Sequence, residues 1–111
     1  MSHPIEDYAM IGDCRTAALV ARDGAIEWLC LPRFDSPACF AKLLGGEEHG
    51  YWRVGTRDPQ AKITRAYRGD SLVLETEHGT AKGKVRVVDF MPTGTEGPQI
   101  VRLVEGLAGE V

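Results

Sequence analysis

Two apolar runs of strand length, residues 17–21 and 25–31, are separated only by Arg22-Asp23-Gly24. An Asp-Gly pair between two such runs predicts a tight hairpin, with both turn positions in the left-handed region. Pro32 ends the second run, because it has no amide hydrogen to give a neighbouring strand. A chain that opens in this way is committed to antiparallel sheet, and its other segments have to supply strands that cover the hairpin. The 13 glycines fall at short intervals, as expected for many strands and turns.

The later segments fit that expectation. Residues 51–54 predict a short strand, and residues 62–68 are polar enough for a sheet edge. Leu72, Leu74 and Thr76 alternate with Val73, Glu75 and Glu77, a strand with one wet face. A turn near residues 78–83 leads into a strand over 84–91, where the adjacent Val87-Val88 pair requires either a bulge or cover on both faces. One short helix is expected near residues 36–44. Ser36 caps it, Pro37 suits its first turn, Phe40, Leu43 and Leu44 form its apolar stripe, and Gly45-Gly46 ends it. Residues 99–105 form the last clear strand and 106–109 a turn. Glu110 and Val111 then open a returning strand that stops, so the chain reads as cut, with an unpaired edge on its final strand. The fold class is all-β, antiparallel.

With 111 residues the chain is one domain at most, or part of one. Thirteen basic and sixteen acidic residues are spread without blocks, leaving no basic stripe for nucleic acid. No apolar run reaches the length of a membrane span, and the first residues are not a signal peptide, so a cytoplasmic setting is expected. Cys14, Cys30 and Cys39 have no Cys-x-x-Cys spacing, and His3, His49 and His78 are far apart. Free, mostly buried thiols and no metal site follow from that pattern. The absence of asparagine excludes N-glycosylation.

The candidate contact residues cluster after the first hairpin. Arg33-Phe34-Asp35, held between Pro32 and Pro37, joins a guanidinium, a ring and a carboxylate in a stiff loop. Such a group can hydrogen-bond sugar hydroxyls while the ring stacks on a pyranose, or it can tie the loop to a neighbouring domain. The prolines favour the structural and interdomain reading. Trp28, Tyr51 and Trp52 can form a sugar platform, although on strands such rings more often serve the core. In Gly12-Asp13-Cys14-Arg15-Thr16, an Asp13–Arg15 contact fixing the strand entry is favoured over a site, with Cys14 a buried, inert thiol. Glu6, Asp7, Asp13, Asp35 and Asp89 offer carboxyl groups, but a glycosidase pair needs defined separation across a bond, and solvated or salt-bridged carboxylates are the default. Arg68-Gly69-Asp70 matches an adhesion tripeptide in letters only, and a turn is expected there.

The segments also carry a resemblance. The run from Ile5-Glu6-Asp7-Tyr8 to Leu19-Val20, the stretch from Gly24 to Phe40, Val88-Asp89-Phe90-Met91-Pro92 and Val101-Arg102-Leu103-Val104-Glu105-Gly106 together resemble the N-terminal domain of bacterial glycoside hydrolase family 15 proteins, the glucoamylase and trehalase family. The resemblance implies a large antiparallel β-sandwich, of which residues 1–111 are a part, followed by an (α/α)6 barrel that holds the two catalytic glutamates and is absent from this chain. No catalytic residue transfers to these positions. It further implies a parent that hydrolyses an α-glucosidic bond, in trehalose or an α-glucan, with inversion and without metal or organic cofactor. The implied role here is to buttress that barrel. The rival is a stand-alone carbohydrate-binding module or one that self-assembles through its unpaired strand edge.

Overall fold

The computed structural model describes residues 5–30, 38–41, 50–69, 71–93 and 99–110. After a 3-10 turn at Ile5–Asp7, the described residues form β1 (Tyr8–Gly12), β2 (Ala17–Ala21), β3 (Ala25–Cys30), β4 (Ala38–Phe40), β5 (Trp52–Arg53), β6 (Lys62–Tyr67), β7 (Leu74–Gly79), β8 (Gly83–Phe90) and β9 (Val101–Gly109). They make two antiparallel sheets. The first has the order β1-β2-β3-β4, with β5 also paired to β3, and the second has the order β6-β7-β8-β9. The all-β expectation holds, and the core lies between the sheets: Ile11, Ala18, Val20, Ile26 and Leu29 of the first meet Leu74 of β7 and Met91 just past β8.

The predicted hairpin is β2–β3, with a different turn. Only Gly24 has positive φ (+93°), while the Gly24 amide donates to the Ala21 carbonyl at 3.0 Å. Asp23 keeps an ordinary backbone and accepts the Ala25 amide on its carboxylate at 3.1 Å. A three-residue loop with one left-handed glycine thus replaces the expected two-residue reversal.

Strand β3 changes parity part-way along. Leu19 faces Trp28, but Val20 faces Ile26, so Glu27 is an extra residue on β3. The bulge brings Ile26 and Leu29 to the same core face, three residues apart, where regular alternation would separate them. It also turns Trp28 to a half-buried position.

The helix expected near residues 36–44 is contradicted at its centre. Residues 38–40 are strand β4, with Phe40 opposite Leu29 and Ala38 opposite Cys30. Two turns of helix are marginal alone, whereas the open edge of β3 offers backbone partners and an apolar neighbour for Phe40. Ala41 is not helical either, and positions 36, 37 and 42–44 lie outside the described residues.

In the second sheet, β6 is an edge strand as expected. Strand β7 buries Leu74, Thr76 and His78 while Glu75 and Glu77 face out, as the alternation predicts, but it starts only at Leu74, leaves Leu72 exposed before it, and runs on to Gly79. The turn is confined to the residues after it, where the Thr80 amide donates to the Gly83 carbonyl at 2.8 Å. Val87, Val88 and Asp89 are all buried and in regular register. The adjacent valines therefore mark cover on both faces, and the bulge of the β8–β9 pair sits elsewhere, at Lys84/Val85. Strand β9 continues through residues 106–109, where a turn was expected, because Leu107 is accommodated as the unpaired residue of that bulge. Its outer edge has no strand partner among the described residues.

Polar side chains stitch the sheets at the β1–β6 side. The Tyr67 hydroxyl donates to the Met10 carbonyl and accepts the Met10 amide, both at 2.9 Å. This satisfies outward-facing groups of edge strand β1. Arg65 donates to the Val20 carbonyl at 3.0 Å and to the Asp7 carbonyl, and Arg22 reaches back to the Ile63 carbonyl at 2.8 Å.

Gly24→Ala tests the turn. A Cβ at Gly24 would overlap the Val54 carbonyl, and its φ is unfavourable for any other residue. The expected loss is about 1–3 kcal/mol, read as a lower urea midpoint with an unchanged slope.

Candidate functional site

The chemistry of the described residues concentrates where the β2–β3 turn, β5 and the second sheet meet. Asp89 on β8 and Arg102 on β9 are cross-strand partners. Arg102 Nε donates to Asp89 Oδ1 at 2.7 Å, Nη2 lies 3.4 Å from Oδ2, and both side chains are only 1 % exposed. The remaining guanidinium donors cross to the first sheet: Nη1 to the Trp52 carbonyl at 2.8 Å, and Nη2 to the Gly24 carbonyl. The Gly24 carbonyl also takes the Val54 amide at 3.2 Å. The guanidinium carbon lies 5.1 Å from the centre of the Trp52 ring, within range of a cation–π contact. A fork of five donors suits this task better than an ammonium, because it binds a carboxylate and two carbonyls from fixed directions.

A second ion pair, Arg53 to Asp23 at 3.5 Å, flanks the first. Near Gly55, by Arg53 and Asp23, is His78, fully buried, with neither ring nitrogen bonded among the described residues. Burial, reinforced by the Arg53 charge, holds the imidazole below its usual range despite the pull of Asp23 and Asp89. On the first sheet, Glu27 at the β3 bulge is also fully buried, and its Oε1 accepts the Tyr8 hydroxyl at 2.6 Å.

Beside the Arg102 junction lies an open cleft of about 700 Å³. Val85, Val87 and Val104 line it from the second sheet, residues 54–58 form another wall, and Arg57, Asp58, Lys82 and Glu110 contribute charge. No aromatic ring lines it among the described residues. Among the described residues no three His, Cys, Asp or Glu side chains are grouped to hold a metal ion.

The sequence-derived candidates are dispersed. Arg33, Phe34 and Asp35 lie outside the described residues. Trp28 is half-buried opposite Leu19, whereas Trp52 is 40 % exposed opposite Ile26, with its ring beside Arg102. Tyr51 is similarly exposed. The contact expected at Gly12-Asp13-Cys14-Arg15 is present: Asp13 Oδ1 accepts the amides of Arg15 (2.9 Å) and Thr16 (3.0 Å), and Oδ2 lies 3.5 Å from the Arg15 guanidinium. Burial raises the Asp13 carboxyl, but these donors outweigh it and hold the group below the ordinary carboxylate range. Cys14 itself is exposed, with φ +75°, which corrects the expectation of a buried thiol; Cys30 is buried. The turn points Cys14 outward because Asp13 folds back onto the two amides that follow it.

Arg102 and His78 were missed as site residues, and Asp89 appeared only as one carboxylate among many. Their one sequence signal is a charged or polar residue amid apolar neighbours: Asp89 in Val87-Val88-Asp89-Phe90, and Arg102 between Val101 and Leu103. That they face each other depends on the register of two strands.

The model of the trehalase-like N-terminal domain matches residues 1–111. This chain belongs to the trehalase-like N-terminal domain family. The domain is 38% identical over 91 residues to a trehalase of Mycolicibacterium smegmatis, an alignment covering 82% of this chain and 14% of that protein. It is 36% identical over 111 residues to a trehalase of Thermoplasma volcanium, covering 94% of this chain and 18% of the relative. Trehalase 2 of Sulfolobus acidocaldarius is 36% identical over 99 residues, 89% of this chain and 16% of that protein. The trehalase-like domain thus spans less than a fifth of the length of these relatives. No solved structure matches the chain significantly.

Two outcomes test this geometry. Removing one partner of the buried pair, by Asp89→Leu or Arg102→Met, is expected to cost about 3–5 kcal/mol. The double variant should lose much less than the sum, as a double-mutant denaturation cycle would register. Asp13 has its folded pKa lowered, so its stabilisation is present above the ordinary carboxylate value and is lost as pH falls through the folded one. Asp13→Asn should therefore flatten the acid limb of the stability profile below about pH 4, and leave its shape near neutrality unchanged.

Proposed function

We propose that this chain is the non-catalytic N-terminal part of a trehalase-type glycoside hydrolase, and that it buttresses a catalytic barrel. The observation that carries the reading is the pairing of two facts: the trehalase-like N-terminal model covers residues 1–111, yet these residues align with only 14–18% of the trehalases compared. The state of the described carboxylates supports it. Asp13, Asp23, Glu75, Glu77 and Asp89 are paired with basic side chains, and Glu27 accepts a tyrosine hydroxyl. Groups used this way hold a sandwich together rather than flank a scissile bond.

The surface supports a buttress as well. Strand β9 presents Leu103 and Val104 at 50% and 60% exposure, with Leu107 nearby. An apolar sheet edge of this kind is costly in water and suits a covering partner. In this reading the parent is a cytoplasmic member of glycoside hydrolase family 15. It cleaves trehalose, or an α-glucan, with inversion, using two carboxyl groups carried by the barrel and no cofactor. Arg33, Phe34 and Asp35 lean on the barrel near the mouth of its active site, while Trp28 and Trp52 stiffen the first sheet.

The test compares the 111-residue chain with the polypeptide extended beyond Val111. Glucose release from trehalose is expected from the extended protein and not from the chain alone. Hydrolysis by the chain alone would overturn the reading. In the extended protein, Arg33→Ala should lower kcat/KM by more than any fall in Tm explains, and unchanged kinetics would remove the loop from the interface. The exposed Tyr51 and Trp52 favour one alternative, a carbohydrate-binding module, and the β9 edge another, a self-assembling one. Tryptophan fluorescence titrated with trehalose, maltose and soluble starch would reveal the first, and sedimentation the second.

A further inference from the structure

His78 has no role in the buttress reading, yet it is fully buried. It lies on the inner face of β7, with Ile63 of β6 and Val85 of β8 as cross-strand neighbours. Its Cε1 is packed so closely beneath Gly55 that a Cβ on that glycine would come within 3.2 Å of it. Neither ring nitrogen has a hydrogen-bond partner among the described residues. A buried imidazole without a hydrogen-bond acceptor has its charged form disfavoured, and the pull of Asp23 and Asp89 does not offset that cost.

The charges around it are already matched. Asp23 of the β2–β3 turn pairs with Arg53 of β5, and Asp89 of β8 pairs with Arg102 of β9. On the β6 side, Arg65 and Arg22 are directed to the Val20 and Ile63 carbonyls. Lys84, Arg86 and Glu77 form their own pairs on the opposite face of the sheet. Two carboxylates and two guanidiniums thus balance at the junction, and a proton on His78 adds a positive charge with no counterpart.

We propose that His78 makes this junction an acid-sensitive latch: the neutral ring seats residues 52–55 against the second sheet, and its protonation releases them. The latch has a visible catch, the Val54 amide that donates to the Gly24 carbonyl. Release would free Trp52 from Arg102 and open the adjoining 700 Å³ cleft, which residues 54–58 help to line. The sign follows from proton linkage. The seated state binds the proton less well than the released state, so release is favoured as pH falls below the ordinary histidine value. Above that value both states are neutral and the latch stays shut.

Hydrogen exchange by NMR on the whole chain, corrected for intrinsic rates, tests this between pH 7.5 and 5. Protection of the Val54 amide should fall by up to about tenfold per pH unit below about pH 6.5. The amides of β2 and β3 should stay protected. The His78 Cε1 proton should titrate over the same interval in which Val54 is exposed. In His78→Leu, Val54 protection should be flat with pH. If that variant does not fold, the coincidence of the two wild-type transitions decides the matter. Titration of His78 at its ordinary value with Val54 still protected would overturn the latch. So would a pH dependence unchanged in His78→Leu, or a loss of protection uniform across both sheets.

Discussion

One guanidinium joins what the strands leave separate. The two sheets share an apolar core, but apolar contact is non-directional and does not set how one sheet is placed on the other. Arg102 does set it. Its donors meet a carboxylate on its own sheet and two carbonyls on the other, so the turn at Gly24, strand β5 and strands β8 and β9 are located by one rigid plane. Taking this ion pair out of water is expensive, and an apolar replacement of similar volume can be as stable. What the pair contributes here is position.

The opposite side of the sandwich is organised by the same device in weaker form. Arg65, Arg22 and the Tyr67 hydroxyl all address backbone groups across the gap between sheets. Each gives a main-chain group a side-chain partner across that gap. These ties and the core together explain how a domain with few large buried side chains holds two sheets in register. Among the described residues, the buried cluster between the sheets includes one alanine among its seven members, with Ala9, Phe40 and Ile100 packed against it.

Much of the architecture was legible from residue order. The hairpin at residues 17–31, the edge character of β6 and the wet face of β7 each follow from local pattern, where one residue and its neighbours decide the outcome. The failures share a cause. Residues 38–40 carry capping and stripe signals for a helix, but the free edge of β3 lies nearby in space and is not adjacent in sequence. Residues 106–109 look like a turn because two are glycine, yet β8 extends far enough to pair them. The junction was hidden for the same reason: Asp89 and Arg102 are thirteen positions apart, and only the register brings them opposite. The resemblance, carried chiefly by residues 5–20 and 24–40, reached the family where pattern alone stopped at fold class.

The extra residue in β3 has its own consequence for how this domain can change over generations. Glu27 works as a gear change, reversing which side of the strand each later side chain faces. Losing one residue there would restore a tidy ladder and send either Ile26 or Leu29 toward solvent. Gaining one would do comparable harm. Length variation in such domains should therefore collect in the connections between strands and avoid this plain-looking stretch, where the residue count, more than residue identity, is what has to be inherited.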